Sequence, residues 1–467
     1  MAKPGARVAV IGAGSSGIAA AKVCLDHGLE PVVYERDAEI GGNWTYRDRP
    51  GHSSVYWSTY INTSKQLMAY SDFEMPDEFP DYPHHTHIAR YFNDYVDHFK
   101  FRDRIRFGVS VEDLRPEGGG WIVASSDGKR ERYDAVMVAN GHHWDPNLPE
   151  FPGAFAGETL HSHFYKRPEP YADRRVLIVG LGNSGIDIAT ELSRVAADVA
   201  VAMRRGVRIW PKYVAGVPLD HQGVDPISWA IGRLLPRAFL WRLFNRMVEK
   251  HQGDVTRFGL PAPTQKINAT HPTISSEFLV RVGHGTVRIK PNVQRLGGDH
   301  VVFADGSREP FDVVIYATGY KIAFPFLRPE VFESKGNRVR LYKYVVDPRN
   351  PGLFFIGLIQ PLGAIMPIAE MQSKWVCRLL TGASALPTPA EMEADIDRVE
   401  AEQRRRYVDT ARHTIQVDQD VYMLDLWRRM VPPGPWGKTL ARLRVVDPFT
   451  VIMWGRQWKA RRKMARR

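Results

Sequence analysis

The sequence VAVIGAGSSG, from Val8 to Gly17, contains Gly12, Gly14 and Gly17 in the spacing G-x-G-x-x-G. A short β-branched run precedes these glycines and a helical pattern follows them, which predicts a strand, a tight turn and a helix. The first glycine permits the turn, the second lets a pyrophosphate approach the backbone, and the third lets the helix pack on the strand. Because the helix N-terminus offers free N–H groups to phosphates, this stretch predicts a dinucleotide-binding fold.

An acidic residue lies where the next predicted strand ends. The stretch EPVVYERD places Glu35 at an interval of 18 residues (35 minus 17) from Gly17, close to the roughly 20 residues expected for a carboxylate that binds a ribose hydroxyl. Ser16 lies within the turn and is a further candidate for cofactor contact. The strand, turn, helix and acid together favour a nucleotide site over a glycine-tolerant turn in an unrelated α/β protein.

A second copy of the pattern follows in RVLIVGLGNSGIDIATEL, from Arg175 to Leu192. The candidate cofactor-binding residues at its turn are Gly180, Gly182, Asn183, Ser184 and Gly185. The next predicted strand ends at Met203, Arg204 and Arg205, and no carboxylate occupies the position that Glu35 has in the first copy. Arginine can bind a 2'-phosphate through two hydrogen bonds, and the missing acid removes the ribose partner that selects NAD. The second site is predicted to prefer NADPH, unless the two arginines are only a solvated surface charge.

Two dinucleotide sites in one chain imply hydride transfer between two cofactors, because a nicotinamide delivers a hydride that a flavin can accept. The first copy is then the FAD unit. The predicted fold is α/β, with two Rossmann-like domains and the NADPH domain inserted into the FAD domain. The predicted boundaries are 1–165 for the first FAD segment, 170–312 for the NADPH domain with an insertion at about 207–281, and 317–467 for the second FAD segment with its basic C-terminal tail.

The amino-acid composition indicates a folded globular protein and argues against several other classes. A hydrophobic content of 44% and a charged content of 25% are those of a folded globular chain. The formal net charge is +11, from 63 basic and 52 acidic residues, but no nucleic-acid-binding motif accompanies it, so we expect no nucleic-acid partner. Cys24 and Cys377 are too few for a disulfide framework and lie in apolar helical patterns. The spacing of the histidines and acidic residues predicts no metal site.

Neither a signal segment nor a membrane-spanning helix is expected. The N-terminus runs directly into the first predicted strand without an apolar signal region. The long apolar stretch from Gly352 to Met371 is interrupted by polar residues and prolines, and falls short of the roughly 20 uninterrupted apolar residues of a span. We therefore expect a cytoplasmic protein.

Two segments leave peripheral membrane contact open. Residues 227–251 carry Trp, Phe and Leu at helical spacing with Arg233, Arg237, Arg242 and Arg246 between them, broken at Pro236. Residues 447–467 combine tryptophans with a basic cluster: Arg456, Lys459, Arg461, Arg462, Lys463, Arg466 and Arg467. The alternative for the first segment is an apolar stripe that packs on its own domain.

The stretch FAGETLHSHFY, from Phe155 to Tyr165, joins the two glycine patterns. It matches the signature F-x-G-x-x-x-H-x-x-x-[aromatic] of the flavin-containing monooxygenases, which this chain resembles. The resemblance extends to GGNW (41–44), INTSK (61–65), GLGNSG (180–185), ATGY (317–320) and FIGLIQPLGAIMP (355–367). It therefore covers nearly the whole chain in the expected order.

The resemblance implies a mechanism and a set of cofactor contacts. NADPH would reduce FAD, and O2 would form a C4a-hydroperoxyflavin that oxygenates a soft nitrogen or sulfur atom of a small lipophilic molecule, such as an amine or thioether. The asparagine that Asn62 matches is the family's hydrogen-bonding partner of the oxygenated flavin and NADP+; from the residues alone, Asn62 serves equally well as a helix cap. Further implied contacts are Gly42, Trp44, Thr63 and Gln360, although Trp44 could equally be a core residue and Gln360 a structural polar group.

Other readings stay open to different degrees. A Baeyer–Villiger enzyme of the same fold would act on ketones, but that family usually has Trp at the position of Tyr165 and GGTW in place of GGNW. A flavin disulfide reductase needs a C-x-x-C pair, which the chain lacks. His161 and His163 in the joint are expected to bond local backbone rather than to transfer protons. A homodimer is left open.

Overall fold

A computed structural model of the chain describes residues 5–48, 51, 53–222, 226–228, 234–264, 271–406, 414–430 and 447–465. The chain forms two compact units. The first unit comprises Met1–Thr45, Thr63–His142 and Ile322–Arg467, and the second comprises Tyr46–Asn62 and His143–Lys321. In sequence, the second unit therefore interrupts the first twice.

Both units combine strands and helices. The strands, numbered along the chain, are β1 (Arg7–Ile11), β2 (Glu30–Glu35), β3 (Ile105–Phe107), β4 (Val111–Glu117), β5 (Gly120–Ser125), β6 (Arg130–Tyr133), β7 (Ala135–Val138), β8 (Asp145–Pro146), β9 (Gly153–Phe155), β10 (Glu158–His161), β11 (Arg175–Val179), β12 (Asp198–Ala202), β13 (Ile209–Trp210), β14 (Tyr213–Val214), β15 (Val217–Pro218), β16 (Thr273–Ile274), β17 (Arg288–Lys290), β18 (Val293–Gly298), β19 (His300–Phe303), β20 (Arg308–Pro310), β21 (Val313–Tyr316), β22 (Tyr320–Lys321), β23 (Leu353–Phe355), β24 (Gln360–Leu362) and β25 (Gln416–Asp418). The described helices are α1 (Ser15–Asp26), α2 (Lys65–Met68), α3 (His85–His98), α4 (Asn183–Leu192), α5 (Arg237–Gln252), α6 (Phe278–Gly283), α7 (Ile365–Leu380), α8 (Pro389–Arg406), α9 (Gln419–Arg429) and α10 (Pro448–Ala465).

The first unit is built on a five-stranded parallel sheet in the order β23-β7-β1-β2-β3. Its central strands are apolar on both faces; Val8, Ala9 and Val10 of β1 are fully buried. Such continuous apolar strands are expected where helices cover both faces of a parallel sheet. Helix α1 follows β1 directly and contacts α7, which returns from the last part of the unit.

The second unit has a parallel sheet in the order β10-β21-β11-β12-β17. Strand β11 occupies the central position that β1 has in the first sheet, with β12 in the position of β2 and β21 in the position of β7. In both sheets the glycine turn leaves the end of the central strand. This duplicated arrangement confirms the predicted α/β fold with two Rossmann-like units.

The boundaries of the two units in the structure differ from the predicted domain boundaries. The second unit begins at His143 and ends at Lys321, and it also contains residues 46–62, whereas the sequence suggested 170–312. The reason lies in β10, which pairs with β21 through the register Glu158–Val313 to His161–Tyr316. The joint that the sequence assigned to the first FAD segment is therefore an edge strand of the second sheet.

The predicted insertion contains helix α5, which begins directly after Pro236, where a helix break was expected. Phe244 and Met247 of this helix pack with Trp210 against a small apolar cluster. Phe239 and Leu243 on another part of its surface are 52% and 57% exposed. Part of the predicted membrane-contacting segment, including Arg233, lies outside the described residues. The undescribed ranges in this region are 223–225, 229–233 and 265–270.

The C-terminal helix α10 packs against α2 within the first unit, and its Phe449, Met453 and Gln457 are buried. Arg456 is only 5% exposed, and its guanidinium donates to the carbonyls of Tyr70 (2.6 Å) and Ala69 (3.3 Å) just after α2. Carbonyls at a helix C-terminus lack intrahelical hydrogen-bond donors, and an arginine side chain can donate to them instead. Arg456 is therefore not part of an exposed cationic surface.

The remaining basic residues of the tail divide into described and undescribed ones. Lys459 and Arg462 are exposed on α10, and the Arg462 guanidinium lies 3.7 Å from the ring centroid of Trp458. Arg466, Arg467 and the side chains of Arg461 and Lys463 lie outside the described part of the chain. Among the helices that are described, none is both long and apolar enough to cross a membrane.

Candidate cofactor-binding sites

The first glycine turn requires glycine at two positions for steric reasons. Gly12 has φ of +103°, and a Cβ there would lie 2.8 Å from the Ala139 carbonyl oxygen. A Cβ on Gly17 would overlap with the Gly12 carbonyl oxygen. These contacts show that Gly12 closes the turn against the end of β7 and that Gly17 brings α1 onto the turn, in the roles predicted for them.

A backbone cradle forms where this turn meets the GGNW stretch. Gly14 is the N-cap of α1, and a Cβ on Gly42 (φ +55°) would lie 3.3 Å from the Gly14 Cα. None of the side chains that the structure describes caps α1, and the first turn of this helix carries no acidic residue. The N–H groups at the start of α1 therefore have no side-chain acceptor, which suits a phosphate group.

Glu35 lies at the end of β2 with its carboxylate turned to the glycine turn. One carboxylate oxygen accepts from the Ala13 N–H at 2.7 Å and the other from the Asp37 N–H at 2.8 Å. Burial raises the pKa of Glu35, and these two backbone hydrogen bonds oppose the rise. Each oxygen keeps acceptor capacity for a further donor, so the residues present fit the adenosine ribose and pyrophosphate of a dinucleotide.

Gly14→Ala is expected to separate cofactor binding from folding. Gly14 has ordinary extended backbone, and a Cβ there would meet only the Gly42 Cα at 3.8 Å, so the protein tolerates the methyl group. A pyrophosphate bound on the turn would collide with this methyl group. We therefore expect flavin affinity to fall about tenfold or more. Flavin content after dialysis measures this; Gly455→Ala, where a Cβ meets nothing within 4 Å, is the control. Unchanged affinity in Gly14→Ala would place the pyrophosphate elsewhere.

The second turn repeats the geometry of the first. Gly180 has φ of +106°, and a Cβ there would lie 2.6 Å from the Ala317 carbonyl oxygen at the end of β21. A Cβ on Gly185 would overlap with the Gly180 carbonyl oxygen. Gly182 is the N-cap of α4, and Ser184 lies in the uncapped first turn of that helix.

Asn183 has a structural partner that the sequence did not indicate. Its side-chain oxygen accepts from the Ile274 N–H at 2.9 Å, and the neighbouring Thr273 hydroxyl donates to the Leu181 carbonyl at 3.1 Å. These bonds attach β16, which lies near the end of the predicted insertion, to the glycine turn. Asn183 therefore holds the turn in place whether or not it also contacts a cofactor.

The strand-end residues distinguish the two sites. The Gly12 N–H donates to Tyr34 and the Gly180 N–H donates to Ala202, so the residue equivalent to Glu35 in the second unit is Met203. Met203 is buried and apolar. Arg204 is exposed and Arg205 half-buried, and neither makes an ion pair or side-chain hydrogen bond within the described part of the chain. A 2'-phosphate beside this strand end would meet two cations and no carboxylate from the strand.

Asn62 does not cap a helix. Helix α2 begins at Lys65 and its N-cap is Ser64, so the capping role considered for Asn62 is wrong. Asn62 and Thr63 are half-buried, and the Asn62 amide makes no hydrogen bond to any residue the structure describes. The amide is therefore available to a ligand.

Trp44 and Gln360 are also half-buried in the first unit. Trp44 ends a one-turn 3-10 helix, Gly42–Trp44, and is not a fully buried core residue. The Gln360 backbone N–H donates to the Ile415 carbonyl at 2.8 Å, where β24 pairs with β25. The Gln360 side chain makes no hydrogen bond among the described residues, so a structural bond does not account for this glutamine.

The joint residues are structural. Tyr165 is fully buried and donates from its hydroxyl to Glu191 at 2.8 Å. The ring nitrogen Nδ1 of His161 accepts from the His163 N–H at 3.1 Å, and the His161 ring packs edge-on against Tyr320. Burial lowers the pKa of His161 to about 4, against the opposing effect of the Gly319 carbonyl. His161 is thus held neutral, as expected for a histidine that bonds local backbone.

The pKa of His161 predicts a pH dependence of stability. Because the folded value of about 4 is below the unfolded value of about 6.5, the unfolded state binds the proton more readily, and stability falls as the pH drops below 6.5. Between pH 7 and 5 the wild-type protein should lose roughly 2 kcal/mol relative to His161→Gln, whose side chain does not titrate. Thermal midpoints of both proteins across this range measure the difference. A constant difference in midpoint would contradict a neutral, buried His161.

The sequence did not indicate a set of buried or half-buried polar side chains in the second unit. Three separate hydrogen bonds hold residues 53–61 of the second unit: Tyr56 donates to Asp187, Lys166 to the Ser53 carbonyl and Lys212 to the Ile61 carbonyl. Nothing in their spacing signals this, because the partners are more than 100 residues apart in the chain for each of these bonds. Within the described residues, no group of three or more His, Cys, Asp or Glu side chains is arranged to hold a metal ion.

Comparisons with known proteins agree with this architecture. Residues 5–440 match the family model described as flavin-binding monooxygenase-like. Flavin-containing monooxygenase 5 of Cavia porcellus is 41% identical over 433 residues, which cover 88% of this chain and 80% of that protein. Dimethylaniline monooxygenase (N-oxide-forming) 2 of Rattus norvegicus is 38% identical over 421 residues, covering 86% of this chain and 78% of that protein.

Solved structures share the fold at lower identity. The S-allyl-L-cysteine S-oxygenase of Allium sativum superposes with a TM-score of 0.69 at 24% identity, covering 96% of each chain. A cyclohexanone monooxygenase superposes with a TM-score of 0.65 at 20% identity, covering 91% of this chain and 97% of the other. The structure has two glycine turns on duplicated parallel sheets. The family model matches most of the chain, and relatives are about 40% identical to it. The chain belongs to the flavin-containing monooxygenase family and is a flavin-dependent monooxygenase.

Proposed function

We propose that this protein is an NADPH-dependent, FAD-containing monooxygenase that oxygenates soft nucleophilic nitrogen or sulfur atoms of small lipophilic molecules. The observation that carries the proposal is the contrast between two otherwise equivalent turns. Glu35 is the last residue of β2, whereas Met203, followed by Arg204 and Arg205, comes directly after β12. The first arrangement suits FAD and the second suits the 2'-phosphate of NADPH.

The protein's own residues bind and orient the cofactors. Glu35 would accept from the ribose hydroxyls, and the N-termini of α1 and α4 would face the two pyrophosphates. Arg204 and Arg205 would pair with the 2'-phosphate. When bound, FAD supplies the redox chemistry by which NADPH and O2 are used; the protein excludes water and directs the substrate.

Asn62 is the residue we assign to the oxygenation step itself. Its amide offers two donors and one acceptor, and none of them is used within the described residues. A half-buried amide that no described residue engages can exchange water for a ligand without breaking an internal hydrogen bond. Trp44, Thr63 and Gln360 are proposed as additional cofactor contacts on the same grounds of partial burial.

The substrate class rests on the relatives and on two sequence positions. A relative that is 38% identical is named for forming an N-oxide, which supports soft nitrogen nucleophiles. The fold is also that of cyclohexanone monooxygenase, which keeps ketone oxygenation as the second candidate. Tyr165 and Asn43, where Baeyer–Villiger enzymes usually have Trp and Thr, favour the first candidate.

A substrate panel tests the proposal. The purified, flavin-loaded protein is given NADPH and 18O2 with N,N-dimethylaniline, methyl phenyl sulfide or cyclohexanone, and the products are analysed by mass spectrometry. We expect one labelled oxygen atom in the N-oxide or sulfoxide. Labelled lactone from cyclohexanone alone would select the Baeyer–Villiger alternative, and NADPH oxidation without labelled product from any of the three would contradict both.

Peripheral membrane attachment is a separate proposal. On α5, the exposed Phe239 and Leu243 lie among the exposed Arg242 and Arg246; on α10, Trp458 is 56% exposed and close to Arg462. Apolar side chains next to cations are typical of helices that lie on anionic membranes. Sedimentation with vesicles that contain phosphatidylserine should capture the protein, and Phe239→Ser with Leu243→Ser should release it. Equal capture of both proteins would exclude α5 from the contact.

A further inference from the structure

Residues 46–62 belong to the second unit although the chain on either side of them belongs to the first. Such a short segment needs attachment, because those of its residues that the structure describes form no strand or helix of their own. Lys166 supplies part of it: the buried ammonium donates to the Ser53 carbonyl at 2.7 Å and the Val55 carbonyl at 3.2 Å. The Trp57 N–H in turn donates to the Lys166 carbonyl at 2.8 Å.

A second lysine holds the end of the segment. The Lys212 ammonium donates to the Ile61 carbonyl at 3.1 Å and lies 5.7 Å from the centroid of the Tyr60 ring. The backbone of Lys212 is itself fixed, since its N–H donates to the Ser276 hydroxyl at 2.9 Å. The ammonium is therefore presented from a fixed point of the backbone.

The Ile61 carbonyl is half of the peptide group whose other half is the Asn62 N–H. A hydrogen bond to this oxygen restricts rotation of a planar unit that ends at the Asn62 Cα. Asn62 has no side-chain bond of its own among the described residues. The lysine bond at Ile61 is thus a direct restraint on the backbone from which the Asn62 amide extends.

A half-buried acid lies near enough to this cation to interact with its charge. Asp187 on α4 accepts from the Tyr56 hydroxyl at 2.8 Å, and Tyr56 lies in the same segment. Burial raises the pKa of Asp187 to about 6, with Tyr56 and Lys212 opposing the rise. Burial lowers the pKa of Lys212, and the negative charges of Asp187 and Glu277 oppose that change. Removing solvent from an ammonium is costly, and the hydrogen bond to the Ile61 carbonyl together with the nearby negative charges offsets part of that cost.

We propose that Lys212 is a positioning residue for oxygenation, which holds the Ile61–Asn62 peptide so that the Asn62 amide is correctly oriented. The inference rests on the function proposed for Asn62. A positioning role predicts a loss in the step that needs Asn62 and little change in cofactor binding, because small displacements at a reacting centre are costly.

The fraction of NADPH oxidation that yields oxygenated product rather than hydrogen peroxide measures this role. An oxygenation turnover consumes NADPH, a proton, O2 and substrate and yields NADP+, water and oxygenated product. An uncoupled turnover consumes NADPH, a proton and O2 and yields NADP+ and hydrogen peroxide. With methyl phenyl sulfide as substrate, Lys212→Met should lower sulfoxide formed per NADPH about tenfold, with peroxide accounting for the difference. Flavin reduction and the KM for NADPH should stay within about twofold of wild type.

Control variants separate positioning from general damage. Lys212→Arg keeps a cation and a donor at the site and should recover part of the sulfoxide yield. Lys343→Met removes a buried lysine that pairs with Asp395 (2.8 Å) and Asp425 in the first unit, and it should leave the yield unchanged. Tyr56→Phe deletes only the hydroxyl bonded to Asp187 and tests the same network if Lys212→Met folds poorly; it should also lower the yield.

A double variant decides whether Lys212 acts through Asn62. If it does, Lys212→Met should add nothing to the defect of Asn62→Ser, since coupled residues are non-additive. Additive losses, a wild-type sulfoxide yield, or a raised KM for NADPH with normal yield would each overturn the inference. These results differ from failure of the proposed function, in which the wild-type protein itself would form no sulfoxide or Asn62→Ser would form it normally.

Discussion

Asn62→Ser should lower product formation about 100-fold while flavin reduction by NADPH stays within about twofold of wild type. The asparagine amide has two donors and one acceptor, and the serine hydroxyl is shorter and has one donor. Loss of about 2.7 kcal/mol of stabilisation in the oxygenation step corresponds to this factor. Anaerobic flavin bleaching measures the reduction, and 18O-labelled sulfoxide measures the oxygenation.

Asn93→Ser is the matched control for Asn62→Ser. Asn93 is also half-buried, but its amide donates to the Ala89 carbonyl within α3 at 2.9 Å, so its hydrogen bonds are internal. We expect product yield to be unchanged in this variant. Normal oxygenation by Asn62→Ser would remove Asn62 from the mechanism, and equal loss of reduction and oxygenation would indicate a defect in cofactor binding instead.

The parts of the fold that follow from local chemistry could be predicted from the sequence. Gly12 and Gly180 must be glycine because both have positive φ and neither leaves room for a Cβ. A strand, such a turn and a helix are encoded within about 20 consecutive residues, so the pattern is legible without the structure. The same holds for Pro236, after which α5 begins.

Pairings between distant residues could not be predicted in this way. The edge strand β10 joins the second sheet through β21, which lies more than 150 residues later, and nothing in Glu158–His161 specifies that partner. Arg456 lies in a basic tail, yet it is buried, and its guanidinium donates to backbone carbonyls in and just after α2. Lys212 looks like an ordinary surface lysine until Ile61 and Asp187 are seen beside it.

Replacing both Arg204 and Arg205 with alanine should lower the preference for NADPH over NADH about 100-fold or more. Each arginine supplies charge-assisted hydrogen bonds to a 2'-phosphate, at about 1.5 to 3 kcal/mol, and neither residue has another partner in the described part of the chain that would compensate. The loss should appear in kcat/KM for NADPH, whereas kcat/KM for NADH should change by no more than about threefold. Steady-state rates with both coenzymes measure the ratio, and higher salt should reduce the wild-type preference.

Two further variants make the assignment specific. Arg194→Ala removes an exposed arginine of the same unit that pairs with Glu277 at 2.6 Å, and it should leave the coenzyme ratio unchanged. Met203→Glu places a carboxylate where the first unit has Glu35, which should both attract the NADH ribose and repel the 2'-phosphate. A shift toward NADH in Met203→Glu, together with loss of preference in the double alanine variant, would locate the selectivity at this strand end. An unchanged ratio in both would mean that Arg204 and Arg205 are only surface charges.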